Sequence, residues 1–235
     1  MKKADTLFGI LENLNLNISS NPLGTDKGDC KTYINGFYEK EFGPRKYKKN
    51  RLLEVGVRTG ASIALWANYF KDAELIGVDV ENVGTPSGPL KEYLDYSSVS
   101  YFCQDAYASK FADSIVGKYS IMIDDGPHSL SSQKRFIQLY LSKLDDDGVL
   151  IIEDVQRDYR DSFQLMRMLP RTGYLFEIHD FRSVSKSYDD FLFVVRHDSI
   201  GRDQIYNKIY LIAKCLLSWI VVLFKRIKII KTSAI

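Results

Sequence analysis

Apolar positions along the chain change period near residue 50. Before it, Leu7, Ile10, Leu11 and Leu14 recur at helical spacing within residues 1–20. NPLGTDKGD (21–29) is turn chemistry, and an aromatic-rich helix is predicted from Tyr33 to Phe42, closed by Gly43 and Pro44. After it, short apolar runs alternate with helical patterns. Strands are predicted at 51–57, 74–80, 99–106, 119–125 and 148–155, with helices over Ala61–Phe70, Ser109–Val116, Leu130–Leu144 and Arg160–Leu169. GTPSGP (84–89) reads as a loop, and YLFEIHDF (174–181) and DFLFVVRH (190–197) as a closing strand pair. Strands that alternate with helices imply an α/β fold with a parallel sheet covered on both faces. The expectation is a doubly wound, Rossmann-like, seven-stranded, mostly parallel sheet with an antiparallel last strand. N-terminal helices and a C-terminal amphipathic helix are added to it. Ligands of such sheets bind at the carboxyl ends of the strands.

Composition changes this picture little. With 235 residues, 45% hydrophobic and 26% charged, the chain has the make-up of an ordinary globular domain. Charge is unevenly placed. Residues 201–235 hold seven basic side chains and one acid, so the net +2 divides into a body of −4 and a tail of +6. Cys30, Cys103 and Cys215 are scattered and odd in number, which suggests neither a disulfide framework nor a zinc site and fits a reducing cytoplasm. MKKADTLFGILENLNLN is too often interrupted by polar residues for a secretion signal.

Chemistry enters at the ends of the apolar runs. LLEVGVRTGAS puts Gly56 and Gly60 in the turn from the first strand to its helix, where glycine lets a ligand approach the backbone. A dinucleotide fingerprint would need glycine at 58 and 61, and this chain has Arg58 and Ala61. A cofactor without a pyrophosphate tolerates that better. Asp79 ends the second strand, about where an acid receives ribose hydroxyls. The E-x-G-x-x-x-G turn with this acid resembles the class I S-adenosylmethionine (SAM)-dependent methyltransferases. That resemblance implies Glu54 and Gly56 near the methionine part, Gly60 in the same cofactor-binding turn, Asp79 on the ribose, and Gln104, Asp105 and Ala106 beside the adenine.

IMIDDGPH (121–128) and VLIIEDV (149–155) each drive an apolar strand into two adjacent acids. As neighbouring strands these ends lie about 4.8 Å apart. Acids so close titrate abnormally or bind a divalent cation, and an all-oxygen set favours Mg²⁺, with Mn²⁺ or Ca²⁺ as rivals. Successive strand residues face opposite ways, which turns Asp124 toward the cofactor. His128 follows Asp125 by three residues, where it could take a proton from a bound hydroxyl. His179 and His197 lack such neighbours and read as structural; Asp26 and Lys27 read equally as part of a lid or as a plain turn.

GTDKG (24–28), LLEVGVRTGASIALW (52–66), IGVDV (76–80), IDDGPH (123–128) and GVLIIEDV (148–155) together resemble the metal-dependent sugar O-methyltransferases of the mycinamicin and macrocin type. The resemblance spans roughly residues 20–195 and implies Asp125, Glu153 and Asp154 as Mg²⁺ ligands, His128 as base, and a sugar or glycan acceptor. Pro127 and Cys30 depart from the family pattern. Rival readings are methylation of another small diol or a phosphorylated acceptor, an iron-dependent hydroxylase-like relative with His128 as a ligand, and a non-catalytic cofactor-binding scaffold.

The expected domains are a helical cap or lid (1–48), the SAM-binding domain (49–200) and a basic tail helix (201–235). Over 203–231 Asn207, Lys214, Ser218, Lys225 and Lys228 form one narrow stripe and the rest is aliphatic or aromatic. The apolar run from Cys215 to Phe224 is too short to span a bilayer. It fits a helix lying on the cytoplasmic face of a membrane, the alternative being packing on its own domain or on a second copy in a homo-oligomer. Nucleic acid is not expected as a partner, because the tail has few arginines and the site is acidic.

Overall fold

The computed structural model describes residues 5–81, 91, 98–185, 187–198, 208–209 and 211–217. The expected loop at 84–89 and most of the expected tail helix lie outside the described residues.

Seven strands form one sheet: β1 (Lys49–Val55), β2 (Asp72–Asp79), β3 (Val99–Cys103), β4 (Tyr119–Asp124), β5 (Leu144–Ile152), β6 (Tyr174–Asp180) and β7 (Phe191–His197). Their order is β3-β2-β1-β4-β5-β7-β6. The first five pair in parallel, and β7 runs antiparallel to both β5 and β6. The antiparallel last strand is therefore present as expected, inserted between β5 and β6. Chain order reverses between β1 and β4, where loops leaving neighbouring strands diverge and open a crevice.

The alternation of side chains explains why both faces are covered. On one face Leu52, Ile121, Ile123, Val149, Ile151, Leu192 and Val194 pack with α1 (Leu7–Asn13), the aromatic segment at Ile34–Phe42 and α3 (Ala61–Tyr69). On the other, Leu53, Val55, Met122, Leu150, Ile152, Phe193 and Val195 meet α4 (Ser109–Ser114), α5 (Leu130–Tyr140) and α6 (Asp158–Met166). A strand buried on both sides needs apolar residues at every position, and β4 is buried along its whole length.

Several boundaries differ from expectation for local reasons. The helix expected over Tyr33–Phe42 is wound as a wider π-helical turn, Ile34–Tyr38, before α2 (Glu39–Phe42). Such turns are frequent at functional sites, and this one sets Tyr33, Tyr38 and Phe42 fully inside the core. Leu14 is exposed because α1 stops at Asn13 and Leu16 takes the buried place. The strand β5 begins four residues earlier than expected, since Leu144 is buried and pairs with Tyr119 before a register shift.

Gly56 closes β1 with φ +86°, and a Cβ there would collide with the carbonyl of Asp125. Left-handed backbone costs an ordinary residue roughly 1–2 kcal/mol before any collision. Gly56→Ala is therefore expected to lower the melting temperature by at least ~4 °C in a thermal melt. A melt that superimposes on wild type would show that the two turns do not interlock.

Candidate functional site

A cavity of about 670 Å³ opens at the carboxyl ends of β1, β2 and β4. Its wall includes Gly56, Arg58, Asp79, Gln104, Asp105, Ala106, Tyr107, Asp125, Pro127, His128 and Asp154, together with Gly24, Thr25 and Asp26 from the N-terminal segment. Among the described residues, four non-glycine residues have positive φ: Asn15, Arg58, His128 and Asp154. Three of these line the cavity. Left-handed backbone persists in such residues only where surrounding structure enforces it, and it clusters at functional sites.

The cofactor-type residues sort into wall and support. Asp79 Oδ2 accepts the Arg58 N–H at 2.7 Å and Oδ1 accepts the Glu81 N–H at 2.9 Å. These two bonds pin the glycine turn against the end of β2. Gln104 begins the next turn, its N–H bound to the Asp79 carbonyl at 2.8 Å. Gly60 caps α3 from φ +82° and lies behind the wall. Glu54 also lies outside the wall. Strand alternation turns it to the α3 side, where it is fully buried and accepts from Trp66 Nε1 at 2.9 Å. Asp124 is not a wall residue either. Its Oδ1 accepts from Tyr107 Oη, its Oδ2 is buried without a hydrogen-bond partner among the described residues, and burial raises its carboxyl to about 6.

The acids at the ends of β4 and β5 converge as expected, because the two strands pair and Glu153 N–H donates to the Asp124 carbonyl at 3.0 Å. The group that meets them from the N-terminal segment was less legible. Lys27 Nζ lies 2.6 Å from Asp125 Oδ2, 2.8 and 2.7 Å from the two oxygens of Glu153, and 3.6 Å from Glu54 Oε1. Its side chain is fully buried. Burial alone would push the ammonium toward its neutral form; Asp125, Glu153 and Glu54 outweigh that and hold Lys27 well above its ordinary value. Tyr38 Oη also donates to Glu153. Lys31 Nζ lies 3.0 Å from Asp154 and 2.6 Å from Asp189, and Tyr33 Oη donates to Asp154 Oδ1 at 2.6 Å.

Five carboxylates (Glu54, Asp125, Glu153, Asp154 and Asp189) thus surround two ammonium groups. Burial first, and the crowding of like charges second, act on the acids themselves. Burial raises Glu153 to about 7 even against Lys27, and burial with the Glu153 charge raises Asp125.

Of the three acids expected as metal ligands, Asp125 and Asp154 share the cavity wall with His128, and one ligand atom from each of these three residues lies within 4.8 Å of the others. Glu153 directs its carboxylate to Lys27 and Tyr38, behind the wall. His128 Nε2 stands 3.9 Å from Asp125 Oδ1 and 3.8 Å from Asp154 Oδ2, beyond hydrogen-bond reach of either. Burial lowers its pKa, helped by Lys27 and Lys31 and opposed by Asp154, which favours the neutral imidazole.

No family model matches the chain. The chain is similar to the 8-demethyl-8-alpha-L-rhamnosyl tetracenomycin-C 2'-O-methyltransferase of Streptomyces olivaceus, with 28% identity over 148 residues, 60% of this chain and 38% of the relative. It is also similar to the mycinamicin VI 2''-O-methyltransferase of Micromonospora griseorubida, with 24% identity over 136 residues, 54% of this chain and 32% of the relative. The chain thus spans under two-fifths of the length of these curated relatives. Among solved structures it is similar to the MycE methyltransferase of the mycinamycin biosynthetic pathway in complex with Mg, SAH and mycinamycin VI. That match has a TM-score of 0.58 and 16% identity, and covers 86% of this chain and 57% of that one. An SAH-bound methyltransferase of Podospora anserina matches with a TM-score of 0.54 and 15% identity, over 83% of this chain and 89% of that one. The sheet read from the sequence is a fold that these methyltransferases share, and the curated relatives are sugar O-methyltransferases, as the motifs implied.

Proposed function

We propose that the chain is a SAM-dependent, Mg²⁺-assisted O-methyltransferase acting on a sugar or glycan hydroxyl. The observation that carries this reading is the pairing, on one cavity wall, of Asp125 and Asp154 with His128. The likeness to sugar O-methyltransferases supports the acceptor class.

The donor set suits a hard divalent cation: two carboxylates present oxygens to the cavity, and the acids nearby outnumber the lysines. When bound, SAM supplies an activated sulfonium methyl, and a cation held by Asp125 and Asp154 makes an adjacent hydroxyl more acidic. The chain's own contribution is orientation and proton transfer. Asp79 and the Gln104–Ala106 turn line the end that would hold the adenosine, and the absence of a side chain at Gly56 lets the Asp125 backbone close against the glycine turn. His128 Nε2, on the cavity wall beside both acids, is placed to accept the proton that an acceptor hydroxyl would lose. Asp125 Oδ1 and Asp154 Oδ2, each just under 4 Å from that nitrogen, would place a cation held between them close to the same hydroxyl. A positioned base of this kind contributes roughly 10²–10⁴ in rate. Holding the reactants in line adds the larger share.

The tail extends the reading to the membrane surface. The helical stretch at 211–217 rests on the domain through buried Leu211, yet Ile212, Leu216 and Leu217 are 42%, 58% and 57% exposed. The basic residues Lys225, Arg226, Lys228 and Lys231 follow in sequence. Exposed aliphatic side chains next to lysines and arginines fit an anionic lipid surface, each basic residue adding about 1 kcal/mol there. No helix among the described residues is long and apolar enough to cross a membrane. An acceptor that a protein on such a surface would meet is a capsular or O-antigen glycan, or its lipid-linked precursor.

Three measurements test these proposals. Transfer of labelled methyl from SAM to a panel of sugar glycosides is expected to be abolished by EDTA and restored by Mg²⁺; transfer indifferent to EDTA would reject the cation. His128→Ala is expected to bind SAH as wild type does in calorimetry while turnover falls at least ~100-fold. Near-normal turnover would reject the base. The triple variant I212S/L216S/L217S is expected to lose co-flotation with anionic vesicles and keep SAH binding. Unchanged flotation would reject the tail as a lipid contact.

A further inference from the structure

We propose that Lys27 is the fixed cation of the acidic site: it takes Glu153 as its counter-ion and leaves Asp125 and Asp154 to face the cavity. The pairing is read from the protein alone; only the identity of the ion that enters the cavity rests on the methyl-transfer reading.

An ammonium group has three N–H bonds, and here each has an acceptor. Two go to the oxygens of Glu153 at 2.8 and 2.7 Å, the third to Asp125 Oδ2 at 2.6 Å. Glu153 is only 1% exposed, and Tyr38 Oη supplies its remaining hydrogen bond. A carboxylate so enclosed has two donors of its own and does not border the cavity.

The two wall acids are handled alike. Asp125 gives Oδ2 to Lys27 and turns Oδ1 toward His128. Asp154 gives Oδ1 to Tyr33 and Lys31 and turns Oδ2 toward His128. In each, one oxygen is tied back to the segment 27–33 and the other is presented to the cavity. Lys27 therefore cancels the charge of Glu153 and occupies one oxygen of Asp125, leaving one oxygen each of Asp125 and Asp154 to a divalent cation.

A double-mutant cycle tests this, with Lys27→Met and Glu153→Gln as near-isosteric changes. Breaking a buried ion pair from one side leaves an uncompensated charge, whereas replacing both partners is close to neutral. Each single variant is expected to melt about 10 °C below wild type, and the double variant to recover at least half of that. By electron paramagnetic resonance the double variant is expected to bind Mn²⁺ at least as tightly as wild type, because no ligand is lost and Asp125 Oδ2 is freed.

Additive losses in melting temperature overturn the pairing. So does weakening of Mn²⁺ binding beyond about twofold in the double variant, the scatter of such cycles, since Glu153 would then be a ligand. If Lys27→Met alone does not fold, the comparison is Glu153→Gln against the double variant: the pairing requires that adding Lys27→Met not lower the melting temperature further, and a further drop overturns it. SAH calorimetry on wild type separates the two readings. A chain that binds no SAH rejects methyl transfer, while the melting cycle still decides the role of Lys27.

Discussion

The buried ammonium of Lys27 joins parts of the chain that sequence keeps far apart. It is bonded across 98 residues to Asp125 and across 126 to Glu153, and through them it connects the N-terminal segment to two neighbouring strand tips. Neither side of this arrangement is tenable alone. A lysine with no exposure needs counter-charges, and acids crowded at adjacent strand ends need a cation. Each therefore stabilises the other, and the segment that provides the lysine is held over the sheet as a consequence. Lys31, Tyr33 and Tyr38 follow the same logic along the same segment, each donating to an acid at the end of β5.

The sheet order makes such a meeting point available. The reversal between β1 and β4 opens a crevice, and the glycine turn after β1 lets the backbone of Asp125 pass close by. Arg58, His128 and Asp154 adopt left-handed backbone around that crevice at a cost of roughly 1 kcal/mol or more each. The packing of both sheet faces provides the stability that tolerates this. The result is a wall where two carboxylate oxygens and one imidazole nitrogen stand close together but are not bonded to one another. Such a set is arranged to receive a cation and a proton, the two roles that the proposed methyl transfer assigns to it.

Much of this was legible from residue patterns. Periodicity gave the seven strands and the antiparallel β7, because strands buried on both faces must be apolar throughout. The glycines after β1, Asp79 at the end of β2 and the Asp-Asp and Glu-Asp pairs announced a ligand end of the sheet. Which member of each acidic pair reaches the cavity was not legible. Strand alternation says that neighbours diverge, but the backbone leaves β geometry after Asp124 and Ile152, and Asp154 sits at φ +54°. Glu54 and Asp124 looked like cofactor contacts, yet their carboxylates are turned to Trp66 and to Tyr107. Lys27 was the hardest to read. A lysine in a Gly-Thr-Asp-Lys-Gly turn looks solvated, and only tertiary contacts reveal that it is buried. Its one trace in the sequence is the four-residue step from Lys27 to Lys31, followed by Tyr33 and Tyr38, which sets four donors along one short segment.

The most direct measurement is a crystal structure of the protein grown with SAH and Mn²⁺, with the metal located by anomalous scattering. The account requires SAH between the glycine turn and Asp79, a manganese peak bonded to Asp125 and Asp154, and Lys27 still bridging Asp125 and Glu153. A manganese peak bonded to Glu153, with the Lys27 ammonium displaced from the acids, would contradict it.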